Sequence, residues 1–179
     1  VTARGSGAAA RKQTAIMYML ARQVMTRDFF LSEDEIRIMH AEGHMPDVYL
    51  EHHTTRVREN LDVPKIIFCD EFHRTGNIEA ITNQVLQDAR EGRKFNVDIK
   101  VASQLMEDFP KPVVDVASTV IVCNAGSERS VNYMRDVFNL TTTERNVIRQ
   151  NLRGPSSRGA PIWALFKTRD HGEVRQFAA

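Results

Sequence analysis

The chain is short of everything that staples or spans. Two cysteines in 179 residues, Cys69 and Cys123, cannot build a disulfide scaffold. Each closes an apolar run that predicts a buried strand, so both are expected as free core thiols. No apolar stretch approaches the ~20 residues that a membrane-crossing helix needs, and no signal peptide is recognisable. Charges nearly cancel, 24 Lys and Arg against 23 Asp and Glu, which removes bulk electrostatics as an argument for nucleic acid. Internal repeats and long low-complexity tracts are also missing. The composition is that of an intracellular globular piece, one domain in size and long enough for its own core. Arg outnumbers Lys about three to one, and guanidinium groups suit phosphate clamps and bidentate subunit contacts.

Against that background Lys65-Ile66-Ile67-Phe68-Cys69-Asp70-Glu71 stands out. A short, β-branched run after Pro64 reads as a buried strand of a parallel sheet. Burying the two acids would cost several kcal/mol without compensation, so they are expected at the carboxyl end of the strand, facing a crevice. In nucleotide hydrolases this is the Walker B arrangement, one acid supporting Mg²⁺ and the next polarising a water. The plainer alternative is a strand that ends in a charged turn.

The following residues favour the first reading. Ile78, Ile81, Val85 and Ala89 recur at helical spacing behind Asn77, an expected N-cap, and predict an amphipathic helix to about Arg93. A second apolar run, Val97 to Ala102, closes on Ser103-Gln104. Strand, helix, strand in this order is a crossover unit with both strand ends at one sheet edge. Gln104 is therefore expected beside Asp70 and Glu71, where its amide can bond a phosphate oxygen and a water. A simple strand cap is the alternative role.

Asp70-Glu71-Phe72-His73-Arg74, Arg90-Glu91-Gly92-Arg93-Lys94 and Ala102-Ser103-Gln104 resemble consecutive motifs of the RecA-like DNA- and protein-pumping ATPases. The likeness is greatest to the ATPases that energise type IV secretion and conjugation, the IcmB/DotO ATPases of Dot/Icm systems and their plasmid counterparts among them. It is carried by roughly residues 65–124. The resemblance implies an α/β RecA-like P-loop NTPase core over residues 1–179, a mostly parallel sheet flanked by helices. The Walker B strand would cover 65–71, the sensor strand 97–104 and a C-terminal antiparallel hairpin 161–177.

The same resemblance implies ATP and Mg²⁺ as cofactors, with Asp70 holding the metal through its hydration shell, Glu71 activating water and Gln104 reporting loss of the γ-phosphate. Arg93, with Arg90 in reserve, matches an arginine finger acting on the neighbouring subunit of a homohexamer; a solvated basic helix end is the competing role. His73 follows the acids and is placed to orient Glu71 or to relay nucleotide state, with a plain turn histidine as the alternative. Implied partners are neighbouring subunits, other cytoplasmic ATPases and inner-membrane components of the secretion system, and a translocated protein or DNA. The implied location is cytoplasmic, at the inner membrane through that complex.

One departure matters. A P-loop, G-x-x-x-x-G-K-[ST], cradles phosphate with backbone N–H groups and a Lys, and this sequence has none. Gly5-Ser6-Gly7 leads into Ala8-Ala9-Ala10-Arg11-Lys12-Gln13, and Lys167-Thr168 sits in a strand-like run. With Val as its first residue, the chain is read as the C-terminal part of a larger ATPase, with the P-loop in an N-terminal portion and no turnover expected here alone. A helicase-like motor, suggested by Asp70-Glu71-Phe72-His73, would carry Ser-Ala-Thr where Ala102-Ser103-Gln104 stands. A degenerate, non-catalytic assembly module is the other alternative.

The rest reads as scaffold. A helix is expected from about Gln13 to Phe30 with Ile16, Leu20 and Val24 on one face. Ser32 and Glu35 form a capping box before a short helix to about His40. A helix over 47–60 enters through Pro46 and faces inward with Leu50, Val57 and Leu61. Val113-Val114 starts a brief helix after Pro110, Thr119 to Cys123 makes a third buried strand, and Ser127 caps a helix holding Val131, Met134 and Phe138. Thr141 and Glu144 form a second capping box, residues 154–159 a loop, and Ile162–Phe166 with Val174–Phe177 a hairpin turning at Asp170-His171-Gly172. His40, His44, His52 and His53 lack the companions of a zinc site, since Gly43 ends the helix between the first two. Ser127-Glu128-Arg129, Arg153 and Arg158 are candidate contacts to nucleotide, subunit or cargo, with capping and loop flexibility as ordinary explanations.

Overall fold

The computed structural model describes residues 7–43, 45–75, 77–125, 127–157, 159–168 and 172–178. Its contacts divide the chain into two compact units, Val1–Asp70 with Ile78–Ala102, and Glu71–Asn77 with Ser103–Ala179.

In the first unit α1 (Ala8–Met25), α2 (Glu33–Glu42) and α3 (Asp47–Asp62) precede β1 (Lys65–Cys69), and α4 (Glu79–Glu91) leads to β2 (Val97–Val101). The two strands pair in parallel from Lys65 opposite Val97 to Cys69 opposite Val101, as expected of a crossover unit. Gly92 makes the tight link possible: a Cβ there would meet the Val97 carbonyl oxygen at 2.6 Å. Ser32 and Glu35 form the anticipated capping box, and Val57 is buried on α3.

Several expectations for this unit need correction. Helix α1 begins earlier because Ala8–Ala10 are strong helix formers. It ends earlier because Thr26 leaves the helical backbone, with φ −109° and ψ 16°, and its hydroxyl takes up the Arg22 carbonyl at 2.8 Å. Ile16, Leu20 and Val24 share a face, but that face is 51–76 % exposed and is not the core side. Ile78, not Asn77, is the N-cap of α4. Its buried side runs through Ile81, Val85, Leu86 and Asp88, while Ala89 is exposed. The face is turned toward Asp88, whose carboxylate takes the Arg22 guanidinium in a two-pronged pair, Nε to Oδ2 at 2.7 Å. Strand β1 is buried on one side only, since Ile66 and Phe68 are 55 % and 62 % exposed.

In the second unit, a 3₁₀ turn (Phe72–Arg74) and another (Met106–Asp108) accompany α5 (Lys111–Val116), β3 (Thr119–Val122), α6 (Glu128–Phe138), α7 (Thr142–Asn151), β4 (Ile162–Thr168) and β5 (Gly172–Ala178). Met134, Ile148, Leu152, Trp163 and Leu165 centre its core. Ser127 caps α6 by accepting the Ser130 N–H at 3.1 Å, and Thr141 with Glu144 opens α7 as a capping box.

The architecture is thus α/β, but the mostly parallel sheet is corrected to a two-stranded parallel sheet and a three-stranded antiparallel one of order β3-β4-β5. An apolar run does not encode strand direction, and β4 offers β3 an equally apolar antiparallel partner, Val120 opposite Leu165. β3 is buried on one side only, Val120 packing half-buried against the core and Val122 buried while Thr119 and Ile121 are exposed, and Cys123 lies beyond it as an exposed free thiol, not in a buried strand. Cys69 is half-buried and also free. The hairpin expected over 161–177 forms as β4 and β5; its turn residues Asp170 and His171 lie outside the described residues, as do Gly5, Ser6, His44 and Arg158. Among the described residues no helix is long and apolar enough to cross a membrane.

Candidate active site

Glu71 follows β1 by two residues, and Gln104 follows β2 by three. Parallel pairing persists to the strand ends, where the Ala102 N–H donates to the Cys69 carbonyl at 2.8 Å. Beyond that bond both segments leave the sheet. Glu71 does so with a left-handed backbone, φ 55° and ψ 42°, a conformation that costs a residue with a Cβ about 1–2 kcal/mol. The turn is held by the Arg74 N–H on the Glu71 carbonyl at 2.9 Å. Phe72, 1 % exposed, anchors it by stacking on Phe109 at 5.8 Å between centroids.

The Glu71 carboxylate becomes the hub of a polar cluster. Its Oε1 accepts from the Gln104 side-chain amide at 3.2 Å. Its Oε2 lies 3.4 Å from Arg74 Nε and 3.6 Å from His73 Nε2. The His73 Nδ1 is buried and has no hydrogen-bond partner among the described residues, so only the Nε2 side of the ring addresses the carboxylate. Beneath this cluster Ser103 Oγ accepts the His73 N–H at 3.1 Å and donates to Asp108 Oδ2 at 2.6 Å. Asp108 Oδ2 also accepts the Leu105 N–H at 3.0 Å.

Of the residues singled out from sequence, Glu71, Gln104 and His73 meet. Asp70 is exposed immediately after β1. Arg90 ends α4 and Arg93 lies on the following 3₁₀ turn, both exposed, in the first unit. Arg74, Ser103 and Asp108 belong to the cluster although no role was read for them. Their sequence signal is faint: an Arg three positions after Glu71 on a turn, and an acid three positions after Leu105 where a short helix opens.

Other candidates have structural partners. Ser127 is a cap, Glu128 pairs with Arg145 and Arg149 at 2.9 and 2.6 Å, and Arg129 lies 3.6 Å from Glu107. Lys167 is a strand residue whose Nζ donates to the Val114 and Asp115 carbonyls at 3.0 and 2.9 Å, closing the end of α5. Arg153 is exposed and bridges Asn124 through its backbone. No group of three or more potential metal-ligating side chains assembles among the described residues.

A carboxylate with one oxygen on an amide and the other facing the Arg74 guanidinium and the His73 ring is fixed in orientation and open to solvent at its rim, with 38 % of the side chain exposed. Such a group can accept a proton from a water positioned by the neighbouring amide. No family model matches the chain. No curated protein matches it significantly.

Proposed function

We propose that this chain supplies the hydrolytic half of a RecA-like ATPase of the kind that energises type IV secretion or conjugative transfer. The observation that carries the proposal is the Gln104 amide on the Glu71 carboxylate at 3.2 Å, two side chains brought together by neighbouring parallel strands. The motif likeness at 70–74, 90–94 and 102–104 supplies the family.

ATP with Mg²⁺ is the implied ligand. Asp70 and Glu71 are hard oxygen donors of the type a hydrated Mg²⁺ takes, usually one or two carboxylates with several waters retained. The donor set therefore fits, whereas the phosphate-cradling P-loop is absent from these 179 residues and belongs in this reading to an N-terminal portion. The bound metal and nucleotide would supply an electrophilic γ-phosphoryl group with its charge partly neutralised. Asp70 would face the metal's water shell. Glu71 would hold and deprotonate the attacking water through the oxygen that Gln104 steadies. Gln104 would orient that water and register when the phosphoryl oxygen leaves. His73 and Arg74 keep the Glu71 carboxylate aimed. Arg93, or Arg90 beside it, would act in trans in a homohexamer, with other secretion ATPases, inner-membrane components and the moved protein or DNA as partners.

The test uses the protein in which this chain is joined to a G-x-x-x-x-G-K-[ST] segment. Glu71→Gln should leave ATP binding intact and reduce turnover by about 10²-fold or more, the contribution of a positioned base. Unimpaired hydrolysis by that variant removes the assignment.

A further inference from the structure

The Glu71–Gln104 contact is solvent-facing, and an exposed hydrogen bond alone does not hold two loops in register. The fixed parts lie just behind it. Ser103 Oγ accepts the His73 N–H at 3.1 Å and donates a hydrogen bond to Asp108 Oδ2 at 2.6 Å, while the same carboxylate oxygen accepts the Leu105 N–H at 3.0 Å. Gln104 thus stands between two neighbours that are both tied to Asp108. One hydroxyl joins that loop to the turn carrying Glu71, two positions before His73. The turn is itself stiff, with Glu71 in a left-handed conformation and Phe72 locked under Phe109.

We infer that Ser103 and Asp108 are positioning residues, a clamp that sets the Gln104 amide on the Glu71 carboxylate and makes the two loops move as one. The clamp is a matter of geometry in this chain; its service to hydrolysis rests on the function proposed above. A hydroxyl is required at 103 because the position must accept from a main-chain N–H and donate to a carboxylate at once, which only a rotatable O–H does in so small a space. At 108 one side-chain oxygen accepts two donors, and a carboxylate makes both bonds stronger than a neutral acceptor would. A displacement of Gln104 on phosphate release would then carry the His73 turn with it.

The experiment compares the chain with its Ser103→Ala and Ser103→Thr variants by amide exchange and by the side-chain amide resonances of Gln104. Ser103→Ala should speed exchange at the His73 amide by about tenfold, the loss of one modest hydrogen bond. It should shift the Gln104 resonances and leave the Leu165 amide on β4 unchanged; Ser103→Thr should restore both signals. Where Ser103→Ala fails to fold, Asp108→Ala, which removes the acceptor shared by Ser103 and Leu105, reads the same coupling. In the P-loop-bearing protein Ser103→Ala should lower kcat by about tenfold with KM for ATP unchanged, as misplacement of a catalytic group does. Exchange at His73 and Gln104 resonances identical to those of the unaltered chain overturn the clamp. A disturbed clamp with unchanged kcat overturns its positioning role. Undiminished turnover by Glu71→Gln would instead remove the ATPase reading while leaving the clamp in place.

Discussion

Gln104 donates its side-chain amide to Glu71 across 3.2 Å, although 33 positions separate them in the chain. Helix α4 and strand β2 lie between the two, and Glu71 itself follows β1, the parallel neighbour of β2, so their meeting is a property of the crossover and not of local sequence. The contact acquires chemical meaning from the way Glu71 leaves its strand. In a left-handed conformation it drops out of the pleat, and its carboxylate lies among Gln104, Arg74 and His73. Backbone strain at a residue with a Cβ persists only where its surroundings over-determine it, and here the Arg74 N–H and the stacked Phe72 do so.

Arg93 is the residue whose proposed role depends on a second subunit. In mixed oligomers of the P-loop-bearing protein, Arg93→Ala subunits should silence the sites of their neighbours, an arginine finger being worth about 10³-fold or more. Mixed with Glu71→Gln subunits, which keep the finger but lack the base, they should regain activity, since each kind supplies what its neighbour lacks. Full activity of Arg93→Ala oligomers would assign Arg93 to an ordinary basic helix end, and no recovery in the mixture would remove its action in trans.

Asp88 carries the largest stability prediction. Its side chain is 4 % exposed and that of Arg22 14 %, and Gln84 also donates to it at 2.8 Å. Asp88→Ala would leave a buried guanidinium without its carboxylate and should destabilise the fold by about 3 kcal/mol. Replacing both partners by apolar residues of similar volume should recover much of that loss. Urea unfolding of the single and double variants measures it; equal losses in both would show that packing, not charge, dominates the site.

Glu144 gives a pH dependence with a definite sign. The Thr141 N–H, then the Arg175 guanidinium and the Thr141 hydroxyl, hold its carboxyl from 4.5 down to about 2. A depressed folded-state value stabilises the fold above the ordinary 4.5, and that contribution disappears as pH falls through about 2. With a third of the side chain in solvent the effect is modest. Glu35 is lowered in the same direction, its burial outweighed by the bonds from Ser32, so the variant is what isolates Glu144. Thermal unfolding across that acid range should show a shallower slope for Glu144→Gln than for the unaltered chain. Parallel slopes would sink the assignment.

The two thiols should differ in reactivity. Burial pushes the Cys69 thiol up, and Tyr18 contacts it at 3.3 Å, whereas Cys123 is exposed. Alkylation followed by peptide mass analysis should find Cys123 modified roughly tenfold faster or more, as thiolate character and access dictate. Equal rates would contradict the protection of Cys69.

Local rules were legible where one segment contains all the parties. The capping boxes at Ser32 and Glu35 and at Thr141 and Glu144 and the Ser127 cap each satisfy backbone groups within a few residues. The Glu71–Gln104 encounter was legible for a different reason: two short apolar runs joined by a helix have one common arrangement, and parallel neighbours bring their carboxyl ends together. The Arg22–Asp88 pair was not legible, because an acid on a helix reads as solvated until its partner 66 positions away is known. Ser103 and Asp108 were hidden likewise, their bonds depending on where the Glu71 turn comes to rest.

Taken by itself, the amino-acid order determined which segments coil and which extend, since hydrophobic period and end-capping are short-range properties. It also determined that an acid pair and an amide would follow adjacent strands. Only the folded chain decided which side of each element faces inward, that β3 would run against β4 instead of joining β1 and β2, and that one serine hydroxyl would couple the Glu71 turn to the Gln104 loop. Those outcomes depend on the competition among distant surfaces for burial and hydrogen-bond partners, and no window of sequence contains both competitors.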